Sequence, residues 1–254
     1  MKHPVVSAVL AGLGSSLVLL LLWEIAARLS GIKPVLLPLP SQVLVELGTE
    51  WRWYLGHAWY TTLTTLAGFA LSVIGGVLIG TAVASSRRFE RFAYPLVVAL
   101  NSVPKVAVAP LFVIWMGTGA EPKIAIAFLI AVFAIIVDTM HGLRSVPQDV
   151  LDVARVLKGR PLAVFFKVRL PGALPSIVAG MKVAISLALV GAIVGEFVSS
   201  QRGLGYVIMT AQGTFDTVRV FAALLLLALI GLLLYGAVVW LERVLTPWRT
   251  HDSH

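Results

Sequence analysis

Long apolar runs separated by short polar segments divide this chain, and six of the runs are long enough to cross a bilayer. They fall at about residues 6–27, 59–84, 92–115, 123–140, 176–199 and 220–241. A crossing needs ~20 largely apolar residues, so the short fourth run is expected to stand nearly upright. The first run exceeds the ~7–15 residues of a signal-peptide core, and no small-x-small cleavage site follows it. It reads as a retained anchor. Residues 41–55, after Pro38 and Pro40, predict a short helix on the membrane surface, with Trp51, Trp53, Tyr54, Trp59 and Tyr60 at headgroup level. Gly68, Ser72, Gly76, Gly80 and Ala84 recur every fourth residue and predict close helix packing. Leu-rich 224–234 predicts a lipid-facing surface.

One polar interruption, residues 145–175, carries too much pattern to be a mere return loop. Ser145 and Gln148 have capping-box spacing. Val146, Val150, Val153, Ala154 and Leu157 then form one apolar stripe at helical spacing. Lys158 and Gly159 suit a helix C-terminus, with Gly159 expected to take the left-handed turn. Pro161 predicts the first turn of a second short helix and Pro171 its stop. A segment of this kind is built to dock.

Composition confirms the membrane reading. The 254 residues are 59% hydrophobic and 13% charged, with mean hydropathy +0.94; soluble domains carry roughly a quarter charged residues. With the N-terminus inside, one side receives Lys2, Arg87, Arg88, Arg91, Arg144, Arg155, Lys158, Arg160, Lys167, Arg169, Arg243 and Arg249. The other receives Arg28, Lys33, Arg52, Lys123, Arg202 and Arg219. That bias predicts both termini in the cytoplasm. The net charge of +8 is then a topology signal and requires no nucleic-acid partner. The absence of cysteine excludes disulfides and thiol catalysis.

Charges inside the apolar runs are candidates for function, because burying them is costly unless they are paired or wet. Lys105, between Pro104 and Pro110, reads either as a pathway residue or as a snorkelling side chain. Lys182 reads as snorkelling, and Glu24 and Arg28 as an i,i+4 pair. Glu196, before a Gly-rich turn, suits capping, gating or solvation. No HExxH, GxSxG or GxxxxGK[ST] is present, and no histidine lies deep in a run. A catalyst has nothing to work with here. Repeated halves with coupling carboxylates, expected of a secondary transporter, are also missing, so energy is expected to arrive through the 145–175 segment. A stand-alone transporter or channel and a membrane scaffold are the alternatives.

The residues then resemble a known family. Asp152-Val153-Ala154-Arg155-Val156-Leu157-Lys158-Gly159, followed by Leu170-Pro171, is similar to the E-A-A-x-x-x-G loop and downstream Leu-Pro of permease subunits of bacterial ATP-binding-cassette importers. Ser102 to Leu111 (SVPKVAVAPL), Trp115 to Gly119, His141 to Arg144 and Gly203 to Tyr206 match as well, most closely the nitrate, sulfonate and taurine branch. Lys158 stands at the family's usual glycine position, and Asp152 and Val153 replace Glu and Ala. The resemblance implies an all-α membrane protein of six transmembrane helices in the bacterial inner membrane, both termini cytoplasmic. It implies an N-terminal span and periplasmic interfacial helix (1–58), a permease domain (59–245, coupling loop 141–175) and a cytoplasmic tail (246–254). Implied partners are a second permease copy, two ATPase subunits that bind the ATP and Mg, and a periplasmic or lipid-anchored solute-binding protein. The chain itself would hold no cofactor and hydrolyse nothing. Val150, Asp152, Ala154, Leu157, Lys158, Gly159, Leu170 and Pro171 would couple to the ATPase. Pro104, Lys105, Pro110 and Glu196 would line the path of a small anion such as nitrate, a sulfonate or taurine, or else of a pyrimidine- or flavin-like solute.

Overall fold

A computed structural model describes residues 4–33 and 35–247. Lys2, Arg249 and most of the expected tail lie outside the described residues. The described chain is helical: α1 (Pro4–Leu29), α2 (Pro40–Thr49), α3 (Trp51–Ala84), α4 (Arg87–Ser102), a 3-10 turn (Lys105–Val108), α5 (Ala109–Met116) and α6 (Glu121–Arg144) form the first half. The second half comprises α7 (Gln148–Val156), α8 (Pro161–Val164), a π-turn (Phe165–Arg169), α9 (Leu170–Val198), α10 (Leu204–Gly213) and α11 (Thr217–Leu245).

Among the described residues, α3, α6, the run from α8 through α9, and α11 are long and apolar enough to span a bilayer. The expected third span is broken. Its two halves, Glu90–Ser102 and Lys105–Met116, meet at 75°. Pro104 lacks an N–H and forces the residue before it out of the helical region, and Val103 is indeed extended (φ −66°, ψ 130°). Helix α6 is 24 residues long, about 36 Å at 1.5 Å per residue, so the fourth span is not short. Pro171 does not stop a helix: α8 runs through the π-turn into α9 as 38 continuous residues. The π-turn ends where proline's missing donor would interrupt an ordinary ladder, and Leu170 N–H reaches back to the Phe165 carbonyl.

The core is a three-helix sandwich of α3, α6 and α9. Gly68, Ser72, Gly76 and Gly80 are buried on α3, and a Cβ on Gly68, Gly76 or Gly80 would strike Ala127, Ile135 or Thr139 of α6. Ser72 Oγ donates across to the Phe128 carbonyl at 3.2 Å. Gly191 of α9 also lies against the Ala127 backbone, so α3 and α9 both close on this point of α6. The stripe of small residues therefore packs helices, as its spacing predicts.

A second apolar cluster joins Val43 of α2, Tyr54 of α3, Leu204 and Val207 of α10, and Ala222 and Ala223 of α11. The expected surface helix is α2, which ends at Thr49, and Tyr54 belongs to this core rather than to the headgroup belt. It is 1% exposed, whereas Trp51 and Trp59 stand out. Leu224, Leu229, Leu232 and Leu233 are exposed on α11, as a lipid-facing stretch requires. At the end of α1, Glu24 pairs with Arg28 and also accepts from Ser41 N–H and Oγ at 3.1 and 3.0 Å, tying α1 to α2.

Candidate functional site

The polar connector folds as one short helix, α7, and a turn that leads into the start of the continuous α8–α9 run at the end of the bundle. Ser145 does not form a capping box. Its Oγ donates to the Gly142 carbonyl at 2.9 Å, closing α6 instead, and α7 starts at Gln148 with Pro147 as its cap. Three spaced faces follow from 100° per residue. Leu151 is buried against the bundle, with Gln148 and Arg155 on its side. Val150, Val153 and Leu157 share the opposite face and are 45%, 59% and 75% exposed, with Val156 beside them. Ala154 is half-buried. Its carbonyl accepts the Gly159 N–H at 3.0 Å, so part of the expected apolar stripe is covered by the connector's own turn.

That turn is a Schellman motif: Lys158 N–H bonds the Arg155 carbonyl at 2.9 Å and Gly159 N–H the Ala154 carbonyl. Lys158 takes the left-handed angle, φ +51°, and Gly159 does not. The expectation that Gly159 supplies the turn is thus overturned. The hydrogen-bond register, set by the last turn of α7, places the left-handed residue one position earlier. Gly159 has another role, since a Cβ there would lie 2.9 Å from Val164 Cγ2 and 3.0 Å from the Ala154 carbonyl oxygen. Asp152 is exposed and pairs with Arg155 at 2.5 Å. Leu170 packs on the main core, and Pro171 sits in the first turn of α9.

The charges inside the bundle separate by environment. Lys105 lies at the break between α4 and α5, where its ammonium bonds Asn101 Oδ1 and stands 5.4 Å from the Phe133 ring centre. Pro104 and Pro110 flank it and are exposed. Lys182 is not a free snorkelling cation, because it pairs with Glu242 of α11 at 2.5 Å. Lys123 is fully buried, its ammonium donating to the Thr118 and Gly119 carbonyls at 2.7 Å each.

Glu196 is 1% exposed, its carboxylate enclosed by its neighbours. One oxygen accepts from Thr61 Oγ1 at 2.8 Å and the other from Gly205 N–H at 2.7 Å. Thr61 Oγ1 in turn accepts from Leu204 N–H at 2.8 Å. Gly203, at φ +103°, wraps over the carboxylate, and a Cβ there would fall inside it. Its N–H donates to His57 Nδ1 at 3.0 Å. The buried Glu196 carboxylate, Thr61 Oγ1 and His57 Nδ1 thus each take one donor at the N-terminus of α10, and together they tie that helix to α3 and α9. Of the expected path residues, Lys105 lies between Pro104 and Pro110, and Glu196 sits apart from them. Thr61, Lys123 and Glu242 were missed. Thr61, Thr64 and Thr65, three hydroxyls at helical spacing in an apolar run, were the available signal. Among the described residues no three His, Asp or Glu side chains converge as a metal ion would require.

Residues 72–247 match the family model of the binding-protein-dependent transport system inner membrane component. The formylaminopyrimidine transport permease protein ThiX of Halalkalibacterium halodurans is 35% identical over 92% of this chain and 93% of its own. The riboflavin transport system permease protein RibX of Chloroflexus aurantiacus is 37% identical over 93% and 90%. The putative aliphatic sulfonates transport permease protein SsuC of Bacillus subtilis is 33% identical over 91% and 85%. A chain of the inward-facing MetNI methionine ABC transporter superposes with a TM-score of 0.68 at 20% identity, covering 76% of this chain and 97% of that one. It shares the fold.

Proposed function

Since this chain belongs to the binding-protein-dependent transport system inner membrane components, ABC transporter permeases that cross the inner membrane several times, we propose that it forms the solute path of an importer and couples that path to a separate ATPase. Two copies enclose the path, two ATPase subunits lie on the cytoplasmic side, and a solute-binding protein delivers from the other. Residues 1–58 add a span and a surface helix to the permease domain of 59–245, giving six spans with both ends cytoplasmic. The observation that carries the coupling role is the outward face of α7. Val150, Val153, Val156 and Leu157 expose apolar surface beside a charged rim, the form a helix takes when it seats in a groove of a partner.

The solute is small. A sulfonate or another small anion is favoured by the Lys105 ammonium at the α4–α5 break and by the resemblance to SsuC. A pyrimidine- or flavin-like solute is favoured by the resemblance to ThiX and RibX. Titrating the partner binding protein with taurine, formylaminopyrimidine and riboflavin separates these readings.

Docking is tested on the outward face. Val153→Glu or Leu157→Glu would bring an unpaired charge into an apolar contact, at a cost of ~2 kcal/mol or more. Each variant should reach the membrane at normal levels and lose the co-purifying ATPase. Normal ATPase retention and transport by both would remove this face from the interface.

A further inference from the structure

Behind the connector lies a cavity of about 830 Å³. It is walled by the end of α3, the start of α4, the end of α6, the inward side of α7 and Arg169. Four of its side chains are guanidiniums, Arg91, Arg144, Arg155 and Arg169, against one carboxylate, Glu90. Arg144 pairs with Glu90, and Arg155 with Asp152. Arg91 and Arg169 have no ion-pair partner among the described residues. The α7 residues that line the cavity, Gln148, Leu151 and Arg155, lie on the face opposite Val150, Val153 and Leu157. A protein seated on the outward face would leave the cavity open. Immediately after Arg91, Phe92, Leu96 and Leu100 form an i,i+4 stripe along α4 and are 78%, 57% and 63% exposed.

Two guanidiniums with no ion-pair partner among the described residues, one of them next in sequence to an exposed apolar stripe, match a molecule with an anionic head and a hydrocarbon tail. We propose that this cavity binds the phosphate of an anionic phospholipid of the cytoplasmic leaflet, its acyl chains lying along Phe92, Leu96 and Leu100. The proposal rests on the reading of α7 as the cytoplasmic docking element, which puts the cavity at headgroup level. Guanidinium forks suit phosphate oxygens bidentately, and basic pockets between helices on this side of a membrane are suited to anionic headgroups. A lipid held there would brace α4, α6 and α7 against one another, at the point where motion of the connector enters the bundle.

The test uses the importer purified with its ATPase, stripped of lipid, and titrated with dioleoylphosphatidylglycerol or dioleoylphosphatidylcholine under native mass spectrometry. One phosphatidylglycerol should remain per permease copy, and phosphatidylcholine should not. Arg91→Gln with Arg169→Gln should weaken retention about 30-fold, at roughly one surface charge's contribution for each arginine. Arg91→Lys with Arg169→Lys should keep most of it, and Arg243→Gln, away from the cavity, all of it. Undiminished retention by the double glutamine variant overturns the proposal. Equal competition by inorganic phosphate reassigns the cavity to a soluble anion. Cross-linking of Gln148→Cys to the ATPase reassigns it to a subunit contact. Loss of the ATPase from the wild-type preparation would refute the docking reading, while the lipid titration still reports on the cavity.

Discussion

Lys158 takes the left-handed angle that ends α7, and Gly159 beside it supplies the space into which Val164 and the Ala154 carbonyl fit. The two residues divide work that one glycine could not do. A side chain in a left-handed conformation costs about 1–2 kcal/mol, so Lys158→Gly should stabilise the connector by about 1 kcal/mol. Gly159→Ala should do the reverse, because its Cβ must push Val164 or the Ala154 carbonyl aside. Thermal unfolding of the purified permease–ATPase complex checks both, with transport as the second readout. Equal effects of the two substitutions would contradict the assigned register.

The Thr61–Glu196 bond fixes α10 across a sequence separation of 135 residues. Thr61→Val keeps the side-chain shape but leaves the Leu204 N–H without an acceptor and one carboxylate oxygen without a donor. A buried unsatisfied group costs about 1–3 kcal/mol, so the midpoint of thermal unfolding should fall by several degrees. Gly203→Ala should be worse, since it combines a positive φ with overlap on the carboxylate. Wild-type stability for both variants would show that α10 is held by its apolar face alone.

Lys182 and Glu242 join α9 to α11, with side chains 23% and 13% exposed. Lys182→Met leaves a largely buried carboxylate unpaired and should cost about 3 kcal/mol. Lys182→Met with Glu242→Gln should recover much of that loss. The four proteins of this double-mutant cycle, compared by detergent-solubilised unfolding, should give a coupling of ~1–3 kcal/mol. Additive losses would mean that the two charges are solvated independently.

Much of this architecture is legible in the sequence because bilayer length and four-residue spacing are local properties. The apolar runs lie on α3, α6, α9 and α11, and the Gly68–Gly80 ladder meets α6. What the runs hide is a change of direction. Pro104 bends the third run by 75° without altering its hydrophobicity, and the π-turn carries the chain past Pro171 without breaking it. Partners distant in sequence are equally hidden. Glu242 lies 60 residues beyond Lys182, and Thr61 is far upstream of Glu196, so each charge looks solitary when only its neighbours are read. Helix α10, ten residues long, is too short to register as an apolar run. The left-handed residue is Lys158, the position where the resemblance expects glycine; the freedom of Gly159 to take that angle pointed one residue too far, because the hydrogen-bond register of α7 decides where the turn falls.

The final prediction concerns the direction of the chain through the membrane. The native sequence contains no cysteine, so single cysteines report without background. Six spans with both ends inside place the connector in the cytoplasm and the α2 and α9–α10 segments outside. Arg160→Cys, in the exposed turn between α7 and α8, should resist an impermeant maleimide in intact cells and react after lysis. Gly48→Cys and Gln201→Cys should react in intact cells. Position 48 has open space around it, and Gln201 is exposed. Leu204 would be a poor reporter, because it is fully buried and its N–H is bound to Thr61. Labelling at 160 in intact cells, with protection at 48 and 201, would invert the topology. It would also place the apolar face of α7 on the wrong side for an ATPase, so the orientation and the coupling reading stand or fall together.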